Sequence, residues 1–564
     1  MRIMCGIIVA EVLVATLMVF SSNAATVGTK DFAIVKDGKS CAAFVLGSMP
    51  NEKARASAEK DVALFNKYLK KVTGVEIALV NGKSSGCLSA MRIDLKPIDK
   101  LHTRYDWKIE YPSDGVMRIE ATTTSLFTAL RQILEEGCDA RFLGAERCMF
   151  QFEPRSDVAV AASMRQNAAH NYQLLRAIYR VAGHWRELGL DEDKLFEYSH
   201  GIPIYAFPAG KYGADKWPEE IMPVLNGAKI KQPPNPYTGW QPCYSNPRTA
   251  EIAIENIREI LRRKPETRSI TLGVNDHCRF CECTSCKSMQ SGSGKGPFTN
   301  MKSNSSVPYY TFVNRVAEAL EKEYPDLTIG LLAYTDVVMP PGFKLNSRVV
   351  PVVTLDSGCS AMDAKIMDAH CDILRKWGET AKIMGLWDYC WGWLTDGYVL
   401  PCVNFEGQAE KLKLHYSVGG RAYFGENEVA DSMDGPKLYL TSRLLEDVDA
   451  DPDAILSEWF TRLAGKDAEK PLREIYRRCR EYWRSSDMKK SPIWPARKFF
   501  YSAPDNQHLF AVKPGFTEGL VALAQQVYAA ATTPGEKSRA EIILRHMERL
   551  DCLVTFSGVS YAKP

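Results

Sequence analysis

The sequence predicts a mixed α/β protein built around a (β/α)₈, TIM-like barrel, with an N-terminal α/β domain before it and a C-terminal helical domain after it. Three observations carry that prediction. At 564 residues the chain exceeds one hydrophobic core, since domains run to about 100–200 residues. Between residues 160 and 430, strand-like and helix-like segments alternate, which is the pattern of parallel α/β architecture. Five of those strands run into acidic or aromatic tips: Asn275-Asp276, Tyr334-Thr335-Asp336, Asp356-Ser357, Asp388-Tyr389 and Gly425-Glu426. Barrel enzymes build their sites at the C-terminal ends of strands.

In chain order, residues 1–24 read as a signal peptide. Arg2 gives a positive start, Ile7 to Phe20 is apolar apart from Glu11, and Ser22-Asn23-Ala24 is a small-residue cleavage site. The expectation is export to the periplasm or beyond. No later stretch reaches the ~18 apolar residues of a membrane span.

Residues 25–155 form the predicted α/β domain. Its helix from Ala54 to Val72 places Ala58, Val62, Phe65 and Leu69 on one face and stops at Gly74. The alternating runs around Asp114-Gly115 read as a hairpin, and a second amphipathic helix runs from Ser125 to Glu136.

The barrel is expected over 156–433. Its clearest strands are Ser269–Val274, Thr328–Ala333, Val349–Leu355, Lys382–Trp387 and Gly420–Phe424, with helices over Arg248–Arg263, Tyr309–Glu323 and Ala361–Trp377. Residues 434–564 read as helical, with Asp451-Pro452-Asp453 marking a helix start.

Composition excludes little but excludes it usefully. A net charge of +3 without a sustained basic run argues against a nucleic-acid partner. No Gly-x-Gly-x-x-Gly follows a strand. No cofactor is expected. Aromatics make up 10% of the chain, which suits sugar binding and suits an ordinary core equally.

Several runs together resemble a known family. They are Asp31 to Lys39, Leu69 to Gly74, Leu134 to Phe142, Tyr198-Ser199-His200, Gln241 to Pro247, Gly273 to Asp276 with the cysteines after it, Trp387-Asp388-Tyr389 and Leu444 to Asp447. The chain is similar, over nearly its whole length after residue 24, to domain-of-unknown-function family 4838, exported bacterial proteins related to β-hexosaminidases and α-glucuronidases. The resemblance implies a non-catalytic N-terminal domain, a catalytic barrel, a carbohydrate substrate and a glycosidic bond to break. It places His200 at an early barrel strand, facing substrate. The β-hexosaminidase pattern ends the corresponding strand in two acids, where this chain has Asn275-Asp276. Asn275 cannot supply the same charge to an acetamido group, so a substrate-assisted route is disfavoured.

Glycoside hydrolysis needs two carboxyl groups, one to protonate the leaving oxygen and one to act as nucleophile or to activate water. Asp276 is the first choice for the acid. Glu426 and Asp388 compete for the second role. Asp336 and Asp356 are candidates for binding sugar hydroxyls, as are Asn275 and Tyr334. Trp387, Tyr389, Trp391 and Trp393 alternate along an extended stretch, so their rings fall on one face, where they could stack on sugars. Cys278, Cys281, Cys283 and Cys286 form a clamp beside Asp276, by structural zinc or by disulfides. The rival readings are a carbohydrate-binding protein on a degenerate barrel and a metal-dependent enzyme using the cysteines.

Overall fold

The computed structural model describes residues 31–80, 89–98, 103–144, 146–178, 186–191, 196–213, 216–276, 279–290, 303–389, 399–426, 432–491, 494 and 507–560. The leader expected over 1–24 lies outside these residues, as do Cys278, Trp391 and Trp393.

The N-terminal part holds a mixed six-stranded sheet and a small three-stranded one. In the larger sheet, Ala42–Leu46 pairs in parallel with Leu79–Val80 on one side and Ser89–Leu95 on the other. The Asp114-Gly115 turn joins two antiparallel strands, Trp107–Ser113 and Val116–Ala121. The helix Glu52–Thr73 is capped by Asn51, whose side chain accepts from the Ala54 amide, and ends at Gly74 in the left-handed region. Its buried face includes Ala58, Val62, Phe65 and Leu69. Strands Val158–Ala161 and Arg165–Gln166 return to pair with these sheets, so the N-terminal hydrogen bonding extends to Gln166.

The central part is organised by one parallel six-stranded sheet. Its strands are β1 (Leu175–Ile178), β2 (Ser269–Thr271), β3 (Thr328–Ala333), β4 (Val349–Leu355), β5 (Met384–Tyr389) and β6 (Gly420–Glu426), in the spatial order β1-β6-β5-β4-β3-β2. The helices between them include α1 (Pro247–Arg263), α2 (Ser306–Glu321), α3 (Ala364–Thr380) and α4 (Phe405–Ser417). Strands buried on both faces read as continuous apolar runs, and all seven residues of β4 are buried. The single helix predicted over Ala361–Trp377 is two. Asp363 adopts an extended backbone, ends the short helix Ser357–Met362, and caps α3 by accepting from the Lys365 amide.

On the inner face of this sheet, Leu175, Ala177, Phe196, Tyr198, Leu332, Val350, Val352 and Ala422 form a core of their own. The segment around 197–201 reaches this face by lying against β2. The Glu197 amide donates to Ser269 Oγ, Thr271 Oγ1 to the Ser199 carbonyl, and the Gly201 amide to the Gly273 carbonyl. At two of the facing residues, both glycines, the approach is too close for a side chain. A Cβ at Gly273 would stand 2.3 Å from the Ser199 oxygen, and one at Gly330 would stand 2.0 Å from the Glu197 oxygen. A further segment pairs with the end of β2, where the Gly239 amide donates to the Asp276 carbonyl and the Gln241 amide to that of Arg279.

The C-terminal part is helical: Gly435–Glu446, Pro452–Ala464, Glu469–Trp483, Pro514–Ala530 and Pro534–Ser560. Its first helix is tied to the N-terminal part by buried ions. Arg131 chelates both Glu446 oxygens at 2.6 Å, and Arg443 reaches Glu135 at 2.5 Å. The Leu444 to Asp447 run therefore acts as a joint.

Three histidines are sealed in this scaffold: His370 on α3, His415 on α4 and His508, which stacks on Trp483. Burial pushes each down to about 3, helped at His370 and His415 by the Lys411 charge. A histidine whose folded pKa lies below its unfolded value of about 6.5 stabilises above that value and loses the contribution as pH falls toward 3, by about 1.4 kcal/mol per pH unit. Asp61 and Asp356, raised by burial to about 6, act with the opposite sign between that value and about 4. Three groups outweigh two, so the apparent Tm is expected to fall as pH drops from 6.5 to 4. A flat or rising Tm over that window would contradict the buried, neutral histidines.

Candidate functional site

Alternation along β5 and β6 sorts the sequence-predicted residues into two sets. Met384 and Leu386 pack outward into the main core, and Asp388 shares their side. Trp387 and Tyr389 point inward, with ring centroids 6.3 Å apart, and Trp387 packs on Phe424 at 4.2 Å. On the inner side, the Trp387 indole N–H donates to Glu426 Oε2 at 2.8 Å, which fixes the carboxylate at the end of β6. Across the sheet, the Tyr334 hydroxyl lies 3.5 Å from Asp276 Oδ1. His200 lies edge-on to Tyr334, with centroids 5.9 Å apart, and its Nδ1 is 2.5 Å from the Val274 carbonyl. Burial pushes the Tyr389 phenol well above the ordinary value, and the charges of Tyr334, Glu426, Asp276 and Asp356 push the same way. Asp276 and Glu426 are both half-buried.

Four other predicted residues are engaged in bonds within the scaffold. Asp388 is fully enclosed behind the sheet. Its Oδ2 meets Lys411 Nζ at 2.7 Å, the Ser357 hydroxyl at 3.0 Å and the Tyr423 hydroxyl at 3.1 Å, and the paired side chains are 0% and 1% exposed. Burial pushes this carboxyl up, but the Lys411 ammonium and the hydroxyls outweigh it and hold it below the usual range. Asp388 is thus an ion-paired anchor for α4. Asp356 caps Ser357–Met362 by accepting from the Cys359 amide at 2.7 Å. Asp336 is buried beside the start of α2, where Ser303 donates to its carboxylate and the Ser305 amide to its carbonyl. Asn275 is wholly buried, and its Nδ2 donates to the Trp240 carbonyl. It braces the 240–241 segment, with its backbone amide accepted by Gln241 Oε1.

The cysteine loop is completed from elsewhere. Cys243 joins Cys281, Cys283 and Cys286, and the four sulfurs lie within 4.8 Å of one another. The signal for Cys243 stood in the Gln241 to Pro247 run, 38 residues before Cys281, where no local spacing points to it. Cys278, the fourth member expected from the sequence, lies outside the described residues. None of the described cysteines forms a disulfide.

A cavity of about 970 Å³ lies among the C-terminal helices. Three of its acids are paired with arginines, Glu469 with Arg473, Glu474 with Arg477 and Glu406 with Arg480.

Residues 153–477 match the family described as Domain of unknown function (DUF4838), well over half of the chain. The chain belongs to that family. The DUF4838 region contains all six parallel strands, both inward-facing carboxylates and the four clustered cysteines. Solved structures resembling the chain are glycoside hydrolases. BtGH115A, a family GH115 4-O-methyl-α-glucuronidase with specificity for decorated arabinogalactans, aligns at a TM-score of 0.53 with 11% identity, over 93% of this chain and 73% of that one. A family 89 glycoside hydrolase from Clostridium perfringens aligns at 0.45 with 9% identity, over 91% and 63%. Flavobacterium johnsoniae chitobiase aligns at 0.39 with 10% identity, over 93% and 90%. At such identities the likeness to BtGH115A is one of fold. No curated protein matches the chain.

Proposed function

We propose that this chain is an exported glycoside hydrolase that cleaves a poly- or oligosaccharide with Asp276 and Glu426, at the mouth of a (β/α)₈ barrel. The observation that carries the reading is a pair of half-buried carboxylates at strand ends, Asp276 beside the Tyr334 hydroxyl and Glu426 held by the Trp387 N–H, whose charges both act on Tyr389. The six parallel strands, with single parallel bridges from His200 to Gly273 and from Thr238 to Asp276, support a barrel of this kind. The shared fold with an α-glucuronidase supports the same reaction class.

In this reading Asp276 gives its proton to the glycosidic oxygen as the bond to the anomeric carbon breaks. Glu426, held by the Trp387 N–H, takes a proton from the water that attacks that carbon. The tilted rings of Trp387 and Tyr389 offer apolar faces that suit a sugar ring. The Asn275 amide, spent on Trp240, is not available to orient an acetamido group. Direct attack by water with inversion is therefore the assigned route. No described helix is long and apolar enough to cross a membrane.

The test is turnover on a broad panel of polysaccharides and aryl glycosides, with the first-formed anomer read by NMR. Hydrolysis with inversion is expected. Glycan binding without hydrolysis across the panel would overturn the reading in favour of a binding protein.

A further inference from the structure

We infer that Cys243, Cys281, Cys283 and Cys286 are the four ligands of one structural zinc ion. The argument begins with distance. Zinc holds thiolates tetrahedrally at about 2.3 Å, which sets neighbouring sulfurs about 3.8 Å apart. Cys243 Sγ stands 3.7 Å from Cys283 Sγ and 3.9 Å from Cys286 Sγ. A disulfide would bring one pair to about 2.05 Å.

Two of these sulfurs accept from backbone amides. The Val224 amide donates to Cys281 Sγ at 3.3 Å and the Cys286 amide to Cys283 Sγ at 3.4 Å. Amides aimed at sulfur are the outer partners that a metal thiolate site needs. Cys243, Cys281 and Cys286 are buried and pack on one another as a small cluster separate from the main core. Four thiols placed together in that way fill no apolar gap that ordinary side chains would not fill better.

The chain topology fits as well. Structural zinc joins separated pieces of chain, with every coordination position filled by protein. Here three ligands come from one segment, in which Cys283 caps the short helix Thr284–Met289 that carries Cys286, and the fourth from a turn that leads into α1, where Thr249 Oγ1 donates to the Cys243 carbonyl. Four sulfur ligands leave no position for water or substrate, so the ion is a clamp and takes no part in hydrolysis. The two pieces it joins are the same pieces that bond to the end of β2. Gly239 donates to the Asp276 carbonyl, and Gln241 to those of Arg279 and Asn275. If Asp276 is the acid, the zinc holds its loop; the metal assignment itself stands apart from that reading.

The experiment uses the full chain, purified without chelator or added metal. Elemental analysis is expected to find about one zinc per chain, and X-ray absorption at the zinc edge an all-sulfur shell at about 2.3 Å. Cys243→Ser should lose most of the metal and Cys278→Ser should keep it. Where Cys243→Ser fails to fold, wild-type protein answers instead. Its four clustered cysteines should resist alkylation until a chelator strips the zinc, and a cobalt-exchanged sample should show thiolate-to-metal charge-transfer absorption. Iron in place of zinc, a disulfide among these cysteines in peptide mapping, or metal lost from Cys278→Ser but retained in Cys243→Ser would each overturn the assignment.

Discussion

Replacing Asp276 by Asn is expected to lower hydrolysis of natural glycans by about 10²–10⁴-fold while leaving the melting temperature close to that of the parent. The substitution keeps the shape of the side chain and its reach to Tyr334, and it removes only the proton that a leaving sugar oxygen needs. On aryl glycosides with activated leaving groups the loss should be much smaller, because those groups depart with little protonation. Glu426→Gln should impair both substrate classes, since water must be activated whatever leaves. The contrast between substrate classes is the informative readout. Near-parental activity of Asp276→Asn on a natural glycan would remove Asp276 from the role of acid.

The second large effect is on stability. Lys411→Met should destabilise the chain by about 3–5 kcal/mol, because it strands the Asp388 carboxylate in a site closed to water. Asp388→Asn alone should also lower the melting temperature, by leaving the ammonium without its counter-charge. Replacing both partners together, as Asp388→Leu with Lys411→Met, should recover much of the loss, since a well-packed apolar pair is often as stable as a buried ion pair. Thermal or urea unfolding of the three variants makes the comparison. If Asp388→Asn instead unfolds like the parent yet is inactive, Asp388 serves the chemistry and not the scaffold.

The long, periodic elements were legible from the sequence. Thr328–Ala333 and Val349–Leu355 begin and end where their apolar runs do. The strand expected over Lys382–Trp387 lies two residues later, at Met384–Tyr389, because Lys411 buries the Asp388 charge and lets the strand run through a residue that usually ends one. Leu175–Ile178 has only four residues, too few to display a period, and the segments near 200 and 238 join the sheet through single bridges. Alternation alone separates Asp388 from Trp387 and Tyr389, since neighbours on a strand face opposite ways. That an amine would meet Asp388 depended on α4 arriving from elsewhere. Cys243 was hidden for the same reason, because its partners are close in space and distant along the chain.

The close approach at Gly273 and Gly330 bears on how sequence variation in this chain should be interpreted. The backbone that carries His200 toward the cleft lies where two hydrogen atoms stand in place of side chains. Even alanine at either position would put a methyl carbon within 2.3 Å of a carbonyl oxygen and drive that backbone off the sheet. In a library scored for activity, both glycines would rank with the residues of the cleft, though neither offers an atom to a ligand. Their contribution is vacancy, and an inventory of functional groups would pass over it.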